Sequence, residues 1–134
     1  MTRVLVVDDE PGLRQSLGLL LSDAGYEVVS ESDSRRALER ALAEPFDLIL
    51  CDVRMPELDG PSLYRLLAQQ QPQLCRRFIF LTGDTLEPAT QAFLAQSGAP
   101  CLPKPFTSAE ARRAIRRVLH LGHSPTPGRV PDRY

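Results

Sequence analysis

Five side chains suited to acid, metal or phosphate chemistry stand at the ends of apolar runs in this sequence. Two adjacent acids follow the first run, a third acid follows the third run, and a threonine and a lysine close the last two. In chain order they are Asp8, Asp9, Asp52, Thr82 and Lys104. Carboxylates held close together repel one another unless a cation lies among them, and hard oxygen ligands with room for water suit Mg²⁺. If the chain gathers these acids, the sequence predicts a Mg²⁺ site, at which Mn²⁺ can substitute.

A cation among these acids would also allow one of them to attack phosphorus. It would neutralise the charge of an incoming phosphoryl group, so that the Asp52 carboxylate could act as the nucleophile. The Lys104 ammonium can pair with one phosphoryl oxygen, and the Thr82 hydroxyl can donate to another. Considered alone, the run Asp8-Asp9-Glu10 is equally typical of a solvated helix N-terminus, which favours acids. The prediction therefore depends on Asp52 and Lys104 lying beside that run.

The apolar pattern predicts five strand-helix pairs that would position these residues. The segment 4–7 is a continuous, largely β-branched run typical of a parallel strand covered on both faces. Leucines then recur at helical spacing as far as Gly25, a typical helix stop. The same alternation repeats along the chain. The other predicted strands are 26–29, 46–51, 78–81 and 101–102, and the other predicted helices begin near Arg36, Pro61, Pro88 and Ala109.

Strands that alternate with helices in one domain imply a doubly wound α/β fold, with a five-stranded parallel sheet and five helices on its two faces. The carboxyl ends of parallel strands share one edge of the sheet, where such folds bind ligands. The five candidate side chains are therefore expected to converge there. Pro100 and Pro103 flank the last strand and place it at a sheet edge, because proline is tolerated chiefly in edge strands.

The size and composition of the chain favour one soluble domain. We assign the domain to residues 1–121, and we expect residues 122–134, rich in proline and glycine without an apolar period, to form a flexible tail. The formal net charge of -1 gives no electrostatic case for direct nucleic-acid binding. We find no secretory signal and no membrane-inserting span, and the three cysteines lack metal-ligand spacing. A cytoplasmic protein with reduced thiols at Cys51, Cys75 and Cys101 is expected.

Four motifs together resemble the receiver domains of two-component response regulators over about Arg3 to Leu119. The motifs are Val6-Val7-Asp8-Asp9-Glu10-Pro11, Asp52-Val53-Arg54-Met55-Pro56-Glu57-Leu58-Asp59-Gly60, Leu81-Thr82-Gly83 and Lys104-Pro105-Phe106. The resemblance implies the flavodoxin-like (CheY-like) strand order 2-1-3-4-5 and a cis peptide bond before Pro105. It also implies Asp52 as the phospho-acceptor, with Thr82 and Lys104 as phosphate contacts. The implied Mg²⁺ ligands are Asp8 or Asp9, Asp52 and the backbone carbonyl of Arg54.

The resemblance further implies partners and a mode of action. A sensor histidine kinase, or its phosphohistidine domain, would supply the phosphoryl group, and the domain would signal by conformational change instead of acting as a turnover enzyme. The segments 81–85 and 98–106 look most like receivers at the C-termini of hybrid sensor histidine kinases, which modulate phosphoryl flow and do not bind DNA. The surface of the predicted fourth helix, fifth strand and fifth helix is a candidate for a weak homodimer contact.

Cys101 departs from the pattern of the family that the chain resembles. Receivers usually carry an aromatic residue three positions before the lysine, where it swings inward as the threonine moves. Because a thiol stands there, we predict a muted or differently propagated conformational change on phosphorylation. NMR chemical-shift changes on the last strand and the helix before it should then be smaller than in ordinary receivers, and changes of the ordinary size would contradict this prediction.

The same acidic residues and Arg54 also bear on three other possible functions. A haloacid-dehalogenase-like phosphatase needs a second acid two residues after its nucleophile, where this chain has Arg54. A flavin-binding module needs a neutral phosphate loop where Asp8-Asp9-Glu10 would repel phosphate. A phosphate-independent pseudo-receiver that keeps the fold is the remaining alternative, against which the complete acidic set argues. Arg54 and Asp84 either meet across the pocket and shield it from water or remain two solvated charges.

Overall fold

The computed structural model describes residues 1–83 and 87–121, which form a five-stranded sheet with every strand pair parallel. The strand order is β2-β1-β3-β4-β5, which confirms the doubly wound, flavodoxin-like prediction. The last strand lies at an edge, as its flanking prolines indicated. The strands are β1 (Arg3–Val7), β2 (Glu27–Glu31), β3 (Leu48–Asp52), β4 (Phe78–Thr82) and β5 (Cys101–Pro103).

Helices cover both faces of the sheet. The helices are α1 (Pro11–Asp23), α2 (Ser34–Ala43), α3 (Gly60–Gln70), α4 (Pro72–Cys75), α5 (Pro88–Ser97) and α6 (Ser108–Leu121). Leu5 and Val7 of β1 pack into an apolar cluster with residues of α2, α3, α4 and α5, whereas Val4 and Val6 pack with residues of α1 and α6. Because side chains alternate between faces along a strand and both faces are covered, all four are fully buried and the run is apolar throughout.

Polar side chains cap helices α2 and α3 and set where they begin. The Asp33 carboxylate accepts hydrogen bonds from the N–H groups of Arg35 and Arg36, so α2 begins at Ser34, two residues before the predicted start. The Asp59 carboxylate accepts from the Ser62 N–H at 2.8 Å and caps α3 in the same way. At the other end of α5, Gly98 adopts a left-handed φ of 70°, which glycine tolerates without steric cost.

Within residues 1–83 and 87–121, the structure contains the five predicted helices and one short helix that was not predicted. This helix, α4, has four residues and begins with Pro72, whose fixed φ suits the first helical position. Leu74 and Cys75 anchor it in the core. Four residues are too few to show a helical apolar period, which explains why the sequence pattern did not reveal it.

None of the helices within the described ranges combines the length and the apolar character that crossing a bilayer requires. Residues 122–134, which were predicted to form a tail, lie outside the described residues.

Candidate functional site

The register of the parallel strands brings the candidate residues to one edge of the sheet. Val7 pairs with Cys51, so Asp8 follows β1 at the level at which Asp52 ends β3. On the other side of β3, Asp52 pairs with Leu81, which places Thr82 one residue beyond it. Thr82 pairs in turn with the last residue of β5, and Lys104 comes next in the chain. Residues that are distant in sequence therefore meet because their strands end together.

The Asp52 carboxylate is held at both oxygens. Its Oδ1 accepts a hydrogen bond from the Arg54 N–H at 3.0 Å, and its Oδ2 accepts one from Lys104 Nζ at 2.9 Å. Asp52 as a whole is 7% exposed. These contacts fix the orientation of a carboxylate whose position at the sheet edge suits attack on an incoming group.

The Lys104 ammonium lies among three carboxylates. Its Nζ is 2.8 Å from Glu10 Oε1, 2.9 Å from Asp52 Oδ2 and 3.1 Å from Asp8 Oδ2. Burial by itself would lower the pKa of Lys104, but its contacts with the carboxylates of Glu10, Asp52 and Asp8 outweigh burial and raise that pKa well above its ordinary value of 10.5. The ammonium therefore stays charged at neutral pH and partly offsets the charge of the acids around it.

Asp8 is fully buried and is the least well satisfied of these acids. Burial raises the pKa of its carboxyl, and the nearby Asp52 charge also raises it, although the hydrogen bond from the Glu10 N–H and the contact with the Lys104 ammonium act in the opposite direction. The Glu10 N–H donates to Asp8 Oδ1 at 2.9 Å. Asp8 Oδ2 touches Lys104 as an ion pair but receives no well-aligned hydrogen bond from the described residues.

A divalent cation suits this arrangement of oxygens. Asp8, Glu10 and Asp52 each offer a carboxylate oxygen, and these atoms lie within 4.8 Å of one another. A buried, incompletely satisfied carboxylate oxygen beside two further acids is a donor set that hard cations such as Mg²⁺ prefer. The side chains at the sheet edge therefore fit the predicted metal.

Asp8→Asn is expected to raise the free energy of unfolding without a divalent cation, by about 1 kcal/mol. Asp8 binds its proton more tightly in the folded state, because its pKa is raised there. The folded protein is therefore destabilised when Asp8 is charged. Its stability falls as pH rises from the ordinary pKa of 3.8 through the raised value. Asparagine carries no charge and removes this destabilisation at neutral pH. Asp8→Asn should also lose stabilisation by Mg²⁺, because it lacks one carboxylate of the proposed site. Thermal unfolding at pH 7 with and without Mg²⁺ measures both the gain in the free energy of unfolding and this loss.

Glu39→Gln is the matched control for Asp8→Asn, because Glu39 is exposed on α2 and does not belong to the group of close carboxylates. Glu39→Gln should change neither the free energy of unfolding nor the stabilisation by Mg²⁺. A less stable Asp8→Asn protein would show that the ion pair with Lys104 outweighs the burial of the Asp8 charge.

The structure gathers some of the predicted ligands and not others. Asp8 and Asp52 meet, but Asp9 is exposed and does not belong to the group of close carboxylates, so its role as a ligand stays a prediction. The residue that sequence reasoning missed is Glu10, which reaches Lys104. The only signal in the sequence was its place as third acid of the run. The metal role of the Arg54 carbonyl also stays a prediction, and Asp84, its proposed partner, lies outside the described residues.

One expectation about the residues around Lys104 is confirmed. The Lys104–Pro105 peptide bond is cis, as the resemblance implied. Thr82 is 5% exposed, and its carbonyl accepts a hydrogen bond from the Lys104 N–H at 2.7 Å. Cys101, which stands where the usual aromatic residue is expected, is exposed on β5. Cys51 and Cys75 are buried free thiols, and burial raises the pKa of Cys75 to about 12, so both stay protonated at neutral pH.

A cleft of about 550 Å³ opens beside Glu10 and Lys104, between α1 and the segment that follows β5. Its walls are mainly apolar, with Leu13 and Leu17 on one side and Phe106 on the other. A partner that brings a group to Asp52 could therefore bury apolar surface next to the site.

Comparison with known proteins gives one consistent family. A family model for the response regulator receiver domain matches residues 4–116. Response regulator receiver protein CpdR of Brucella abortus (strain 2308) is 34% identical over 119 residues, which are 89% of this chain and 98% of CpdR. Sensor kinase CckA of the same strain is 32% identical over 87% of this chain, which spans only 12% of CckA.

A solved structure agrees with these sequence relatives. The receiver domain of sensor histidine kinase PA1611 from Pseudomonas aeruginosa PAO1 was solved with a magnesium ion coordinated in its active site cleft. It is 33% identical with a TM-score of 0.77, and the match covers 89% of this chain and 98% of that domain. Because the family model spans most of the sequence and CpdR is matched over nearly its whole length, the chain belongs to the response regulator receiver domain family.

Proposed function

We propose that Asp52 accepts a phosphoryl group from the phosphohistidine of a sensor histidine kinase, or of its phosphohistidine domain, and that the protein signals through the resulting change in shape. The observation that carries this proposal is the setting of the Asp52 carboxylate, which contacts the Lys104 ammonium beside the buried Asp8 carboxylate at the sheet edge. An oriented nucleophile, a cation and acids that suit a metal are what phosphoryl transfer to a carboxylate requires.

Each side chain has a distinct part in the proposed transfer. The Asp52 carboxylate forms the new P–O bond as the P–N bond to the donor imidazole breaks. Lys104 Nζ pairs with one phosphoryl oxygen, and the Thr82 hydroxyl donates to another. The Arg54 N–H keeps its hydrogen bond to Asp52 Oδ1 and so holds the carboxylate in orientation. The chain thus contributes mainly positioning and charge, which dominate catalysis of phosphoryl transfer.

Mg²⁺, or Mn²⁺ in its place, is the proposed cofactor. The residues that would hold it are Asp8, Asp9, Asp52 and the backbone carbonyl of Arg54, and a Glu10 carboxylate oxygen lies within 4.8 Å of those of Asp8 and Asp52. When bound, the ion would neutralise part of the charge of the phosphoryl group. Support comes from the close carboxylates of this chain and from the magnesium ion seen in the receiver of PA1611.

The proposed role is regulatory, in the cytoplasm, without direct contact with nucleic acid and without turnover of a substrate. A receiver of the hybrid-kinase type that modulates phosphoryl flow is supported by the similarity to CckA and to the receiver of PA1611, although CpdR is matched along nearly its whole length. The full-length gene and its neighbours would distinguish these arrangements. The surface of α5, β5 and α6 is proposed as the weak homodimer contact, which sedimentation with and without phosphorylation would test.

The decisive experiment is incubation with acetyl phosphate and Mg²⁺ followed by intact-mass measurement. The wild type is expected to gain the mass of one phosphoryl group, and the gain should disappear in EDTA and in Asp52→Asn. An unmodified wild-type protein would instead favour the pseudo-receiver alternative. Gain of the same mass by Asp52→Asn would show that the acceptor is a different residue.

A further inference from the structure

The Lys104 ammonium contacts three carboxylates before any phosphoryl group arrives, and it donates hydrogen bonds to those of Glu10 and Asp52. Nζ lies within 3.1 Å of one oxygen from each of Asp8, Glu10 and Asp52. An ammonium has three donors and no acceptor. A phosphoryl oxygen can therefore approach Lys104 closely only if one of these carboxylates withdraws.

The three carboxylates differ in how firmly they are held. The side chains of Asp8 and Asp52 are 0% and 10% exposed, and each accepts a hydrogen bond from a backbone N–H through its other oxygen. The Glu10 side chain is 63% exposed, and within the described residues its carboxylate contacts Lys104 alone. Moving Glu10 into water costs least, because the carboxylate regains its hydration and breaks no other bond.

We propose that Glu10 occupies the place of a phosphoryl oxygen on Lys104 and gives it up when Asp52 is phosphorylated. This inference rests on the proposed phosphoryl transfer and adds a gating residue to it. Glu10 is thus a built-in competitor of the incoming group, and it lowers the rate at which Asp52 is modified. The competition depends on the length of the glutamate side chain, because only the terminal oxygen Oε1 of Glu10 contacts Lys104.

The variants Glu10→Ala and Glu10→Asp separate contact from charge. Alanine removes both, whereas aspartate keeps the charge but is one methylene too short to keep the contact. Both should take up the phosphoryl group of acetyl phosphate about two- to fivefold faster than the wild type at saturating Mg²⁺, the factor that corresponds to an exposed ion pair. The rate is measured by intact mass over time. Glu39→Gln, an exposed charge change on α2, should match the wild type.

Four results would overturn the inference. A wild-type rate in Glu10→Asp with a faster Glu10→Ala would assign the effect to charge alone, and an equally fast Glu39→Gln would assign it to net charge. The third result would come from calorimetry with Mg²⁺ alone. If both Glu10 variants bind Mg²⁺ more than about tenfold more weakly than the wild type, Glu10 is a metal ligand. If the wild type takes up nothing, the proposed function fails as well, whereas equal uptake by all variants removes only the role of Glu10.

Discussion

Lys104→Met is expected to lower the free energy of unfolding at pH 7, in the absence of divalent cations, by about 2 to 3 kcal/mol. The substitution leaves the buried carboxylates of Asp8 and Asp52 without their counter-charge. Breaking a buried ion pair costs about 3 to 5 kcal/mol, and we reduce that figure because the Lys104 side chain is 20% exposed and water can reach the site. Chemical denaturation of both proteins in EDTA measures the difference.

The pH dependence distinguishes this explanation from a loss of packing. The pKa of Lys104 is raised in the folded state, so its contribution is complete below the ordinary value of 10.5 and is lost as pH rises above it. The defect of Lys104→Met should therefore shrink above that pH, where the wild type also loses its charge. It should shrink in acid too, because protonation of Asp8 removes the repulsion, and Mg²⁺ should restore part of the stability at pH 7.

Lys104→Arg is the control for Lys104→Met, since it keeps the positive charge. It should retain more of the stability than methionine, although its planar fork cannot reproduce the three-way contact of an ammonium. A defect of equal size in the methionine and arginine variants, independent of pH and of Mg²⁺, would show that packing of the lysine side chain is responsible and that charge is not.

Gly60→Ala is expected to destabilise the fold by about 2 to 3 kcal/mol and to slow phosphorylation of Asp52. A Cβ atom on Gly60 would lie 2.7 Å from the Asp52 carbonyl oxygen and 3.1 Å from Val53 Cα, and both of these are backbone atoms that cannot turn away. It would also lie 3.1 Å from a ring atom of Phe80 in the core. The start of α3 must move, and with it the backbone that carries the phospho-acceptor.

Gly18→Ala is expected to stabilise the protein, in contrast to Gly60→Ala. Gly18 lies within α1, and a Cβ there would meet nothing within 4 Å. Alanine should therefore stabilise the protein by about 1 kcal/mol through its higher helix propensity. Thermal unfolding of both variants and intact-mass rates with acetyl phosphate test the pair. A stable, normally phosphorylated Gly60→Ala protein would show that α3 can shift without disturbing Asp52.

Much of the fold could be predicted because it depends on local patterns. The unbroken apolar run 4–7 indicated a strand covered on both faces, and Val4 and Leu5 do lie in different apolar clusters. The prolines around β5 correctly indicated an edge strand. The short helix α4 escaped prediction, because its four residues show no apolar period and it is held by the burial of Leu74 and Cys75 in the core.

The candidate site was predictable to the level of strand ends. Asp52 and Lys104 were expected to meet because parallel strands share an edge, and Lys104 Nζ lies 2.9 Å from Asp52 Oδ2. The orientation of each acid could not be obtained in this way. The contact between Glu10 and Lys104 joins residues 94 positions apart, and no local pattern of the sequence encodes such a distance.

By itself, the sequence determined which chemical groups end the strands and that a parallel sheet would gather them. Only the tertiary structure decided which of the three adjacent acids face Lys104. The chain bends at Asp9, and the Glu10 N–H donates back to Asp8 Oδ1 at 2.9 Å, a turn that brings together the acids on either side of Asp9. Asp8 and Glu10 therefore lie on the side of Lys104, and Asp9 between them is exposed to solvent.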